Sequence, residues 1–303
     1  MDAIVLAGGK GVRLMPLTSD VPKPVLPVAG YPVLDYVTAH LQYYGVRKIV
    51  YAAGYLSECV KKTVKRYGNG NYVVRTEKKA LGTCGAVKNS LERISGDFIV
   101  ASGDCLSDID LYKMAAFHFK SGALATMAVK PSPQANLYGV VTSDEKGRIT
   151  AFEEKPENAK AGSLVNLGVY VLSEKAFDLV PGGAFFDFSR DLFPLLMKKG
   201  ALYAFRHEGF WSDLGDVKSY FEANERFKDG YFYPLPCGGD MRRSGSSLVS
   251  FDSEMSGRAE NSVICGKSKV ARDAFLRECV VLGGEVFGVH YRRIIKDGVI
   301  VDV

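Results

Sequence analysis

Along roughly the first hundred residues, short continuous apolar runs alternate with segments in which apolar residues recur at helical spacing. Short apolar runs, typical of buried strands, occur at residues 4–7, 48–52 and 97–102. Between them, residues 33–44 and 57–67 carry apolar side chains at the spacing of an α-helix that buries one face. Because strands and helices alternate, the pattern predicts an α/β fold: a Rossmann-like, mostly parallel mixed sheet flanked by helices.

The pattern changes in the middle of the chain. Apolar segments separated by Pro and Gly predict four more strands, at 124–130, 138–142, 148–154 and 167–172. Helical spacing returns at 188–199 and 217–227. We expect a domain over residues 1–228, with a second lobe of mixed sheet packed over the first. Residues 229–260 are rich in Gly, Ser, Pro and Asp with little periodicity, and are predicted to be a linker.

Residues 261–303, called the tail below, have a six-residue period. The apolar positions are Ile264, Val270, Leu276, Leu282, Ile294 and Ile300, and Gly288 stands in the remaining slot. A period of six is typical of a left-handed β-helix, in which each short face contributes one inward apolar residue. The tail is therefore predicted to form a short β-helix-like element of about two coils. The alternative is a pair of antiparallel hairpins with coincidental spacing.

Composition limits the classes of partner. The 303 residues are 47% hydrophobic and 24% charged, an ordinary globular balance, and the net charge is +5. Lys and Arg are spread along the chain instead of forming a dense basic stripe, so we expect small anionic substrates and no nucleic acid. No apolar run reaches the length that spans a bilayer, and we expect no membrane partner.

Cysteine and histidine usage bears on metal chemistry and compartment. Six cysteines contain no C-x-x-C pair and four histidines no H-E-x-x-H, so a zinc site is not expected. Scattered thiols in a chain of this length favour a reducing compartment. The apolar run at the N-terminus is too short for a signal peptide. We therefore expect a soluble cytoplasmic protein.

The chemistry-bearing stretch follows the first strand. It combines a strand end, three glycines and two cations: Leu6, Ala7, Gly8, Gly9, Gly11, Arg13 and Lys23. Glycine lets backbone N–H groups approach a ligand, and an arginine fork suits phosphate oxygens. The stretch is predicted to bind a polyphosphate; the alternative is an ordinary glycine turn. It matches neither the G-x-G-x-x-G dinucleotide fingerprint nor the P-loop.

Three motifs together carry a family resemblance. Gly8-Gly-Lys-Gly-Val-Arg-Leu14 (the glycine loop), Pro16-Leu-Thr18 and Pro22-Lys-Pro24 resemble the signature of sugar-1-phosphate nucleotidylyltransferases, also called NDP-sugar pyrophosphorylases. Further motifs extend the resemblance over residues 1 to about 228. The family usually has Thr where this chain has Val12, and Asn-Ala-Gly where it has Asn166-Leu-Gly168.

The resemblance implies a reaction and its catalytic residues. A sugar 1-phosphate oxygen attacks the α-phosphorus of a nucleoside triphosphate, and pyrophosphate leaves. The protein has to place two anions together and stabilise charge on the leaving group. Arg13 and Lys23 match the family's triphosphate-binding cations. Asp104 and Asp213 match its carboxylates for Mg²⁺, the implied cofactor. The alternative role for a single aspartate at the end of a strand is to cap a helix or stabilise a turn.

The resemblance also implies two binding regions. The nucleotide side comprises the strand end and glycine loop together with Glu77, Gly82 and Thr83. The sugar-phosphate side comprises Gly139, Glu154, Lys155, Asn166 and Gly168. The runs at 54–56 and 80–86 look closer to guanylyltransferases that use mannose- or heptose-type 1-phosphates. Glucose-1-phosphate thymidylyl- or uridylyltransferase activity is the alternative.

Other classes of protein are weighed against the enzyme. A glycosyltransferase of related fold would not need Arg13 and Lys23 beside a glycine loop. A regulatory subunit that only binds an NDP-sugar is favoured by the loss of a hydroxyl at Val12, and opposed by the four charged residues. The tail contains no candidate catalytic set, so it is predicted to assemble subunits, most simply into a homodimer.

Overall fold

The computed structural model describes residues 1–68, 71–77, 79–230, 233–237 and 239–303. The chain folds into two compact units. The first contains residues 1–9 and 40–211, and the second contains residues 10–39 and 212–303. The predicted linker, residues 229–260, lies partly outside the described residues.

The described residues form six α-helices and twenty-five strands. The helices are α1 (Val33–Tyr43), α2 (Ser57–Lys65), α3 (Gly82–Lys88), α4 (Leu111–Ser121), α5 (Phe193–Lys198) and α6 (Val217–Phe227). The strands before the tail region are β1 (Ala3–Ala7), β2 (Pro27–Val28), β3 (Tyr31–Pro32), β4 (Ile49–Ala53), β5 (Tyr72–Thr76), β6 (Phe98–Ser102), β7 (Leu106–Ser107), β8 (Ala125–Ser132), β9 (Gly139–Ser143), β10 (Ile149–Glu154), β11 (Ser163–Leu172), β12 (Leu202–Arg206) and β13 (Trp211–Ser212). The strands that follow are β14 (Met241–Ser244), β15 (Ser247–Ser250), β16 (Glu254–Met255), β17 (Arg258–Glu260), β18 (Val263–Ile264), β19 (Ser268–Val270), β20 (Phe275–Arg277), β21 (Val280–Val281), β22 (Gly284–Val286), β23 (Val289–Tyr291), β24 (Arg293–Lys296) and β25 (Val299–Asp302).

One nine-stranded sheet organises the first unit. Strands β5, β4, β1 and β6 are parallel, and β11 joins them by antiparallel pairing with β6. Strands β8 and β9 then pair with β11, and β12 and β10 form the outer positions. The predicted α/β class with a mixed sheet is confirmed. The strands predicted to form a separate lobe belong to this same sheet. Half of its eight described pairings are antiparallel, and the parallel ones are the three among β5, β4, β1 and β6 and the pairing of β8 with β12.

Burial explains why the central strands β1, β4 and β6 have continuous apolar sequences. Every residue of β4 is buried, and so are four of the five residues of β1 and of β6. Their side chains pack with α3, α5 and the outer strands in one apolar core. Continuous apolar runs are expected of strands covered on both faces. Helix α4 was not predicted, although Asp110 caps its N-terminus by accepting from Lys113 N–H and Gly122 ends it at φ 63°.

Glycines follow three of the parallel strands at their carboxyl ends. Gly8 follows β1, Gly54 follows β4 and Gly103 follows β6. A Cβ on Gly8 would lie 3.3 Å from the Gly54 nitrogen, and a Cβ on Gly54 would lie 3.3 Å from the Gly8 oxygen. The two backbones touch, so neither position accommodates a side chain without displacement. This close packing brings the ends of β1 and β4 together at the sheet edge where such folds bind ligands.

The second unit is built around α6. Its bounds, Val217–Phe227, are those predicted, and Asp216 caps it by accepting from Ser219 N–H. Tyr220 Oη donates to the Pro27 carbonyl, and the Asn224 side-chain oxygen accepts from Ala29 N–H at 2.9 Å. The segment that continues the glycine loop is therefore fixed to a helix almost two hundred residues later in the chain.

Three parallel sheets form the C-terminal part of the second unit. One contains β15, β18, β21 and β24; the second contains β16, β19 and β22; the third contains β17, β20 and β23. Each sheet gains one strand as the chain passes through all three in turn, an arrangement compatible with a β-helix. Antiparallel pairing occurs at the ends, between β14 and β15 and between β24 and β25. The alternative of two antiparallel hairpins is therefore wrong.

The structure corrects two details of the tail. Residues 241–260, assigned to the linker, contain β14–β17, so the strand system starts at Met241; its short strands lie below the length at which periodicity is visible. Ile264, Val270, Leu276 and Ile294 are buried as predicted, whereas Leu282 is half-buried and Ile300 is exposed. The apolar cluster of the tail also uses Val281, Val286 and Ile295, which lie outside the predicted slots. Successive coils pair Val263 with Val280 and then with Ile294, so coil lengths differ and a strict six-residue period is lost.

Candidate functional site

A cavity of about 570 Å³ lies in the first unit. Its lining consists of Leu6, Thr83, Ser102, Phe152, Glu154, Gly168, Tyr170, Phe185, Asp187, Phe188, Ser189 and Arg190. Four of these residues, Leu6, Thr83, Glu154 and Gly168, belong to the predicted nucleotide and sugar-phosphate sides. The volume falls in the usual range for small-molecule sites. The first unit therefore gathers residues from Leu6 to Arg190 around one concave surface.

Backbone constraints shape the sugar-phosphate side of this cavity. Gly168 has φ 72°, and a Cβ there would lie 3.2 Å from the Ser102 side chain. A Cβ on Gly139 would lie 2.5 Å from the Phe152 ring. The Asn166 oxygen accepts from Gly168 N–H at 3.0 Å, and its Nδ2 donates to Tyr170 Oη at 2.8 Å. Asn166 is thus held by local contacts that fix the bend at Gly168.

Glu154 and Lys155 form an exposed charged pair beside the cavity. Lys155 Nζ lies 3.8 Å from Glu154 Oε1, and the Lys155 backbone has φ 48°. The Lys155 N–H donates to the Tyr138 carbonyl at 3.1 Å. A non-glycine residue with positive φ is uncommon and marks a position imposed by its surroundings. The bend gives Lys155 a fixed backbone while its ammonium group stays accessible to an anion.

The predicted nucleotide-side residues of the 77–83 stretch make internal contacts. Glu77 Oε2 accepts from Leu81 N–H at 3.3 Å, and burial raises the pKa of Glu77 while that hydrogen bond opposes the rise. Gly82 has φ 73°, and a Cβ there would lie 2.6 Å from the Phe186 carbonyl oxygen. Glycine is therefore required at position 82 because the backbone packs against Phe186. The sequence did not indicate this reason.

Asp187 is a cavity residue that sequence analysis missed. Thr83 Oγ1 donates to Asp187 Oδ2 at 2.8 Å, and Phe188 N–H donates to Thr83 Oγ1 at 3.1 Å. Asp187 Oδ1 also accepts from Ser189 N–H at 2.9 Å. The one signal in the sequence was a helix cap, because this aspartate directly precedes the helical spacing predicted at 188–199. It predicts a helix start and gives no indication that the cap joins Thr83.

Asp104 stands just beyond the carboxyl end of β6. Ser102 Oγ donates to Asp104 Oδ1 at 2.8 Å, which orients the carboxylate. Gly103 N–H donates to the Leu6 carbonyl at 2.8 Å, so the turn is anchored to β1. The strand predicted at 97–102 is observed as β6, and a hard carboxylate oxygen just beyond a strand end suits a magnesium ion.

The second unit gathers the other three charged residues. Lys23 is only 8% exposed, and its Nζ donates to the Asp213 carbonyl oxygen. Arg13 Nη2 lies 4.0 Å from Asp213 Oδ2, with the arginine side chain 57% exposed and the aspartate side chain 19% exposed. Asp213 Oδ1 accepts from Gly215 N–H at 3.1 Å. The structure thus places Arg13, Lys23 and Asp213 in one cluster.

Gly11 and Thr18 hold the part of the glycine loop that carries Arg13. Gly11 has φ 63°, and a Cβ there would lie 3.1 Å from Lys23 Cβ. Thr18 is fully buried, and its Oγ1 donates to the Gly11 carbonyl at 2.9 Å. Val12, which replaces the family's usual threonine, is 69% exposed and therefore contributes no core packing. Gly9 has open space on the side where a Cβ would project.

The two predicted metal carboxylates lie in different units, Asp104 in the first and Asp213 in the second. Across the described ranges, no group of three or more His, Cys, Asp or Glu side chains is arranged to hold a metal ion. Magnesium commonly takes one or two protein carboxylates and completes its shell with phosphate oxygens and water. The oriented carboxylate of each aspartate fits that use. Within the same described ranges, none of the helices combines the length and the apolar composition needed to cross a membrane.

Comparison with known proteins identifies the family. Residues 2–230 match the model of the nucleotidyl transferase family, which is well over half of the chain. This protein belongs to the nucleotidyl transferase family, and the predicted resemblance is confirmed.

Curated relatives span two named activities. The chain is 34% identical over 241 residues to a UTP–glucose-1-phosphate uridylyltransferase of Synechocystis sp., covering 74% of this chain and 62% of that protein. It is 31% identical over 234 residues to a mannose-1-phosphate guanylyltransferase of Mycobacterium tuberculosis, covering 74% and 64%. The chain thus spans less than two thirds of the length of these relatives.

Solved structures agree with the fold. HddC from Yersinia pseudotuberculosis has 27% identity and a TM-score of 0.67, covering 75% of this chain and all but 1% of HddC. A second HddC structure, complexed with GMP-PN, has 28% identity and a TM-score of 0.66. A glucose-1-phosphate thymidylyltransferase-like structure from Bacillus anthracis, at 24% identity and a TM-score of 0.69, supports the fold alone.

Proposed function

We propose that this protein transfers a nucleotidyl group from a nucleoside triphosphate to a sugar 1-phosphate, releasing pyrophosphate. The observation that carries the proposal is the cluster of Arg13, Lys23 and Asp213, in which Lys23 and Asp213 are 190 positions apart in the sequence. Burying the Lys23 ammonium group would be costly without the Asp213 carbonyl as its partner. A lysine, an arginine and a carboxylate held together are groups that suit phosphate oxygens and Mg²⁺.

The cations act on the triphosphate. Lys23 is held by the Asp213 carbonyl, so its ammonium group is pre-positioned as a point charge for phosphate oxygens. The planar, largely exposed Arg13 fork stabilises the charge that develops on the leaving pyrophosphate. Gly8, Gly9 and Gly11 present backbone at the loop, with Leu6 and Ala7 at the strand end before it. Stabilising charge that appears only in the transition state raises kcat.

Asp104 and Asp213 are each proposed as ligands of Mg²⁺. When bound, the ion neutralises phosphate charge. Two hydrogen bonds orient the carboxylates, one from Ser102 to Asp104 and one from Gly215 to Asp213.

The first-unit cavity is proposed to bind the sugar 1-phosphate. Lys155 attracts the phosphate, and Glu154 accepts hydrogen bonds from sugar hydroxyls. Gly139, Asn166 and Gly168 define the cavity wall through the contacts described above. Glu77, Gly82 and Thr83 are proposed to flank the base, through backbone held by Asp187 and Phe186.

For the substrates we propose GTP with a mannose- or heptose-type 1-phosphate. Support comes from the mannose-1-phosphate guanylyltransferase relative and from the HddC complex with GMP-PN. A second candidate is glucose-1-phosphate uridylyl- or thymidylyltransferase activity. It is supported by the relative named as a UTP–glucose-1-phosphate uridylyltransferase. A regulatory subunit that binds an NDP-sugar without turnover is the candidate from another class, supported by Val12.

A pyrophosphate-release assay tests the function. Full-length protein with Mg²⁺ should release pyrophosphate from GTP in the presence of mannose or heptose 1-phosphate. Five nucleotides and several sugar 1-phosphates form the panel, and omission of the sugar phosphate is the control for simple hydrolysis. A higher rate with UTP or dTTP and glucose 1-phosphate would transfer the assignment to the second candidate. Binding of an NDP-sugar without any turnover would establish the regulatory alternative.

We further propose that the protein is a cytoplasmic homodimer and that the tail is a left-handed β-helix. The sequence supports the compartment, because its six scattered cysteines contain no C-x-x-C pair. Six large apolar residues of the second unit are exposed near or within the tail: Phe251, Phe287, Val289, Tyr291, Val299 and Ile300. Exposed apolar patches commonly mark protein contacts. A twofold contact between two copies would cover them.

Light scattering measures the assembly. The full-length protein should have twice the chain mass of 33.1 kDa. Val289→Glu should give a monomer, because a charge would be buried in the proposed contact. Phe119→Glu, on an exposed residue of α4 in the first unit, is the matched control and should leave the dimer intact. A monomeric full-length protein at all concentrations would remove the dimer proposal.

A further inference from the structure

Lys296, near the C-terminus of the chain, is buried and bonded to the segment that follows the glycine loop. It lies at the end of β24 and is only 9% exposed. Its Nζ donates to the Leu17 carbonyl at 2.9 Å and also to the Asp20 carboxylate. These residues are 276 to 279 positions away in the sequence. A buried ammonium group needs such partners, because an unpaired charge in an apolar setting is strongly unfavourable.

The segment that Lys296 contacts, residues 17–20, closes the glycine loop. Leu17 N–H donates to the Leu14 carbonyl at 2.8 Å. Thr18 Oγ1 donates to the Gly11 carbonyl at 2.9 Å, and its methyl group lies 3.2 Å from the position of a Gly11 Cβ. Gly11 begins the short 3₁₀ turn, Val12–Leu14, that carries Arg13. A displacement of residues 17–20 would therefore disturb the backbone on both sides of Arg13, because Leu17 is bonded to Leu14 and Thr18 to Gly11.

We infer that Lys296 is a positioning residue for nucleotidyl transfer, an inference that rests on the proposed function. It holds residues 17–20 so that Gly11 and Arg13 keep the geometry required to bind the triphosphate. The tail thereby acts on the phosphate-binding loop of its own chain, in addition to any role in assembly. Nothing in the six-residue period of the tail predicts this contact, because Lys296 falls outside the apolar slots.

The charge state of the pair supports the inference. The hydrogen bond from Lys296 is the largest cause of the lowered pKa of Asp20. A carboxyl with a lowered folded-state pKa contributes stability above its unfolded pKa and loses it as the pH falls through the folded value. The pair is therefore intact at neutral pH, where nucleotidyl transfer would be assayed. The Asp20 carboxylate contacts the Lys296 ammonium group and accepts a hydrogen bond from the Ser19 hydroxyl.

Amide hydrogen exchange tests the contact without requiring activity. Lys296→Met keeps the length and apolar stem of the side chain and removes its charge. Peptides covering residues 11–23 should exchange roughly tenfold faster in this variant, since local opening is set by local contacts. Lys269→Met, at an exposed tail lysine paired with Glu254, is the matched control and should exchange like the wild type. Unchanged exchange at 11–23 in Lys296→Met would overturn the inference.

Kinetics test the consequence for the reaction. Lys296→Met should raise the KM for the nucleotide roughly tenfold and lower kcat severalfold, while the KM for the sugar 1-phosphate stays within about twofold. Lys296→Arg keeps the charge and should recover most of the loss. Asp20→Asn, at a well-exposed side chain that should not impair folding, should change the same constants less, because the Leu17 bond remains.

The outcomes separate this inference from the proposed function. A fall in kcat with both KM values unchanged would mean that Lys296 only supports folding, and would overturn the positioning role. If the wild type releases no pyrophosphate with any pair in the panel, the proposed function fails. Faster exchange at 11–23 in Lys296→Met would then still establish that Lys296 fixes the loop.

Discussion

Replacing Asp104 or Asp213 with asparagine should each lower kcat by at least about 10²-fold, the scale for losing one pre-organised electrostatic group. Asparagine keeps the shape of the side chain and removes its charge. The remaining oxygen can still accept from Ser102 Oγ at residue 104 and from Gly215 N–H at residue 213. The loss is therefore assigned to the charge, since the local fold is preserved. Initial-rate measurements with saturating substrates give kcat for each variant.

A magnesium titration distinguishes a metal ligand from another electrostatic role. If each aspartate binds the ion, the Mg²⁺ concentration for half-maximal rate should rise in each variant. Asp302→Asn, which removes an exposed tail carboxylate paired with Arg293, is the control and should match the wild type. Turnover within twofold of wild type in either test variant would exclude that residue from the reaction. A lower kcat with an unchanged magnesium dependence would exclude a direct bond to the metal.

Arg13→Ala should lower kcat about 10²-fold without changing the thermal midpoint of unfolding. The arginine side chain is mostly exposed and its nearest described acid, Asp213, is 4.0 Å away, so its removal costs little stability. The reaction loses the fork of donors that stabilises the leaving pyrophosphate. Arg13→Lys should give an intermediate rate, because it keeps the charge and loses the planar pair of donors.

Lys23 and Arg272 provide the contrasts for this experiment. Lys23→Met should lower both turnover and the thermal midpoint, because Lys23 is buried and bonded to the Asp213 carbonyl. Arg272→Ala, at an exposed tail residue, should change neither. Differential scanning fluorimetry beside the rate assay measures both quantities. An Arg13→Ala enzyme with a normal rate would contradict the role given to the exposed arginine.

Sequence periodicity and local chemistry determined the elements near the site. The apolar runs predicted the parallel strands, and the spacing from 217 to 227 gave the bounds of α6 as observed. The glycines after β1 predicted which strand end carries the proposed phosphate-binding loop. Signals of this kind involve residues within a few positions of one another, where backbone geometry alone relates side chains to faces and turns. The family motifs then led to the roles proposed for individual residues.

The tertiary structure decided which of these residues meet. It placed Lys23 on the Asp213 carbonyl, Thr83 on Asp187 and Lys296 on Asp20. It also joined the predicted second lobe to the first sheet through β6 and β11, and it set unequal coil lengths in the tail. Contacts between residues more than a hundred positions apart leave no period in the sequence. They arise only when whole elements pack together, because the free energy of each contact depends on burial and partners that distant segments supply.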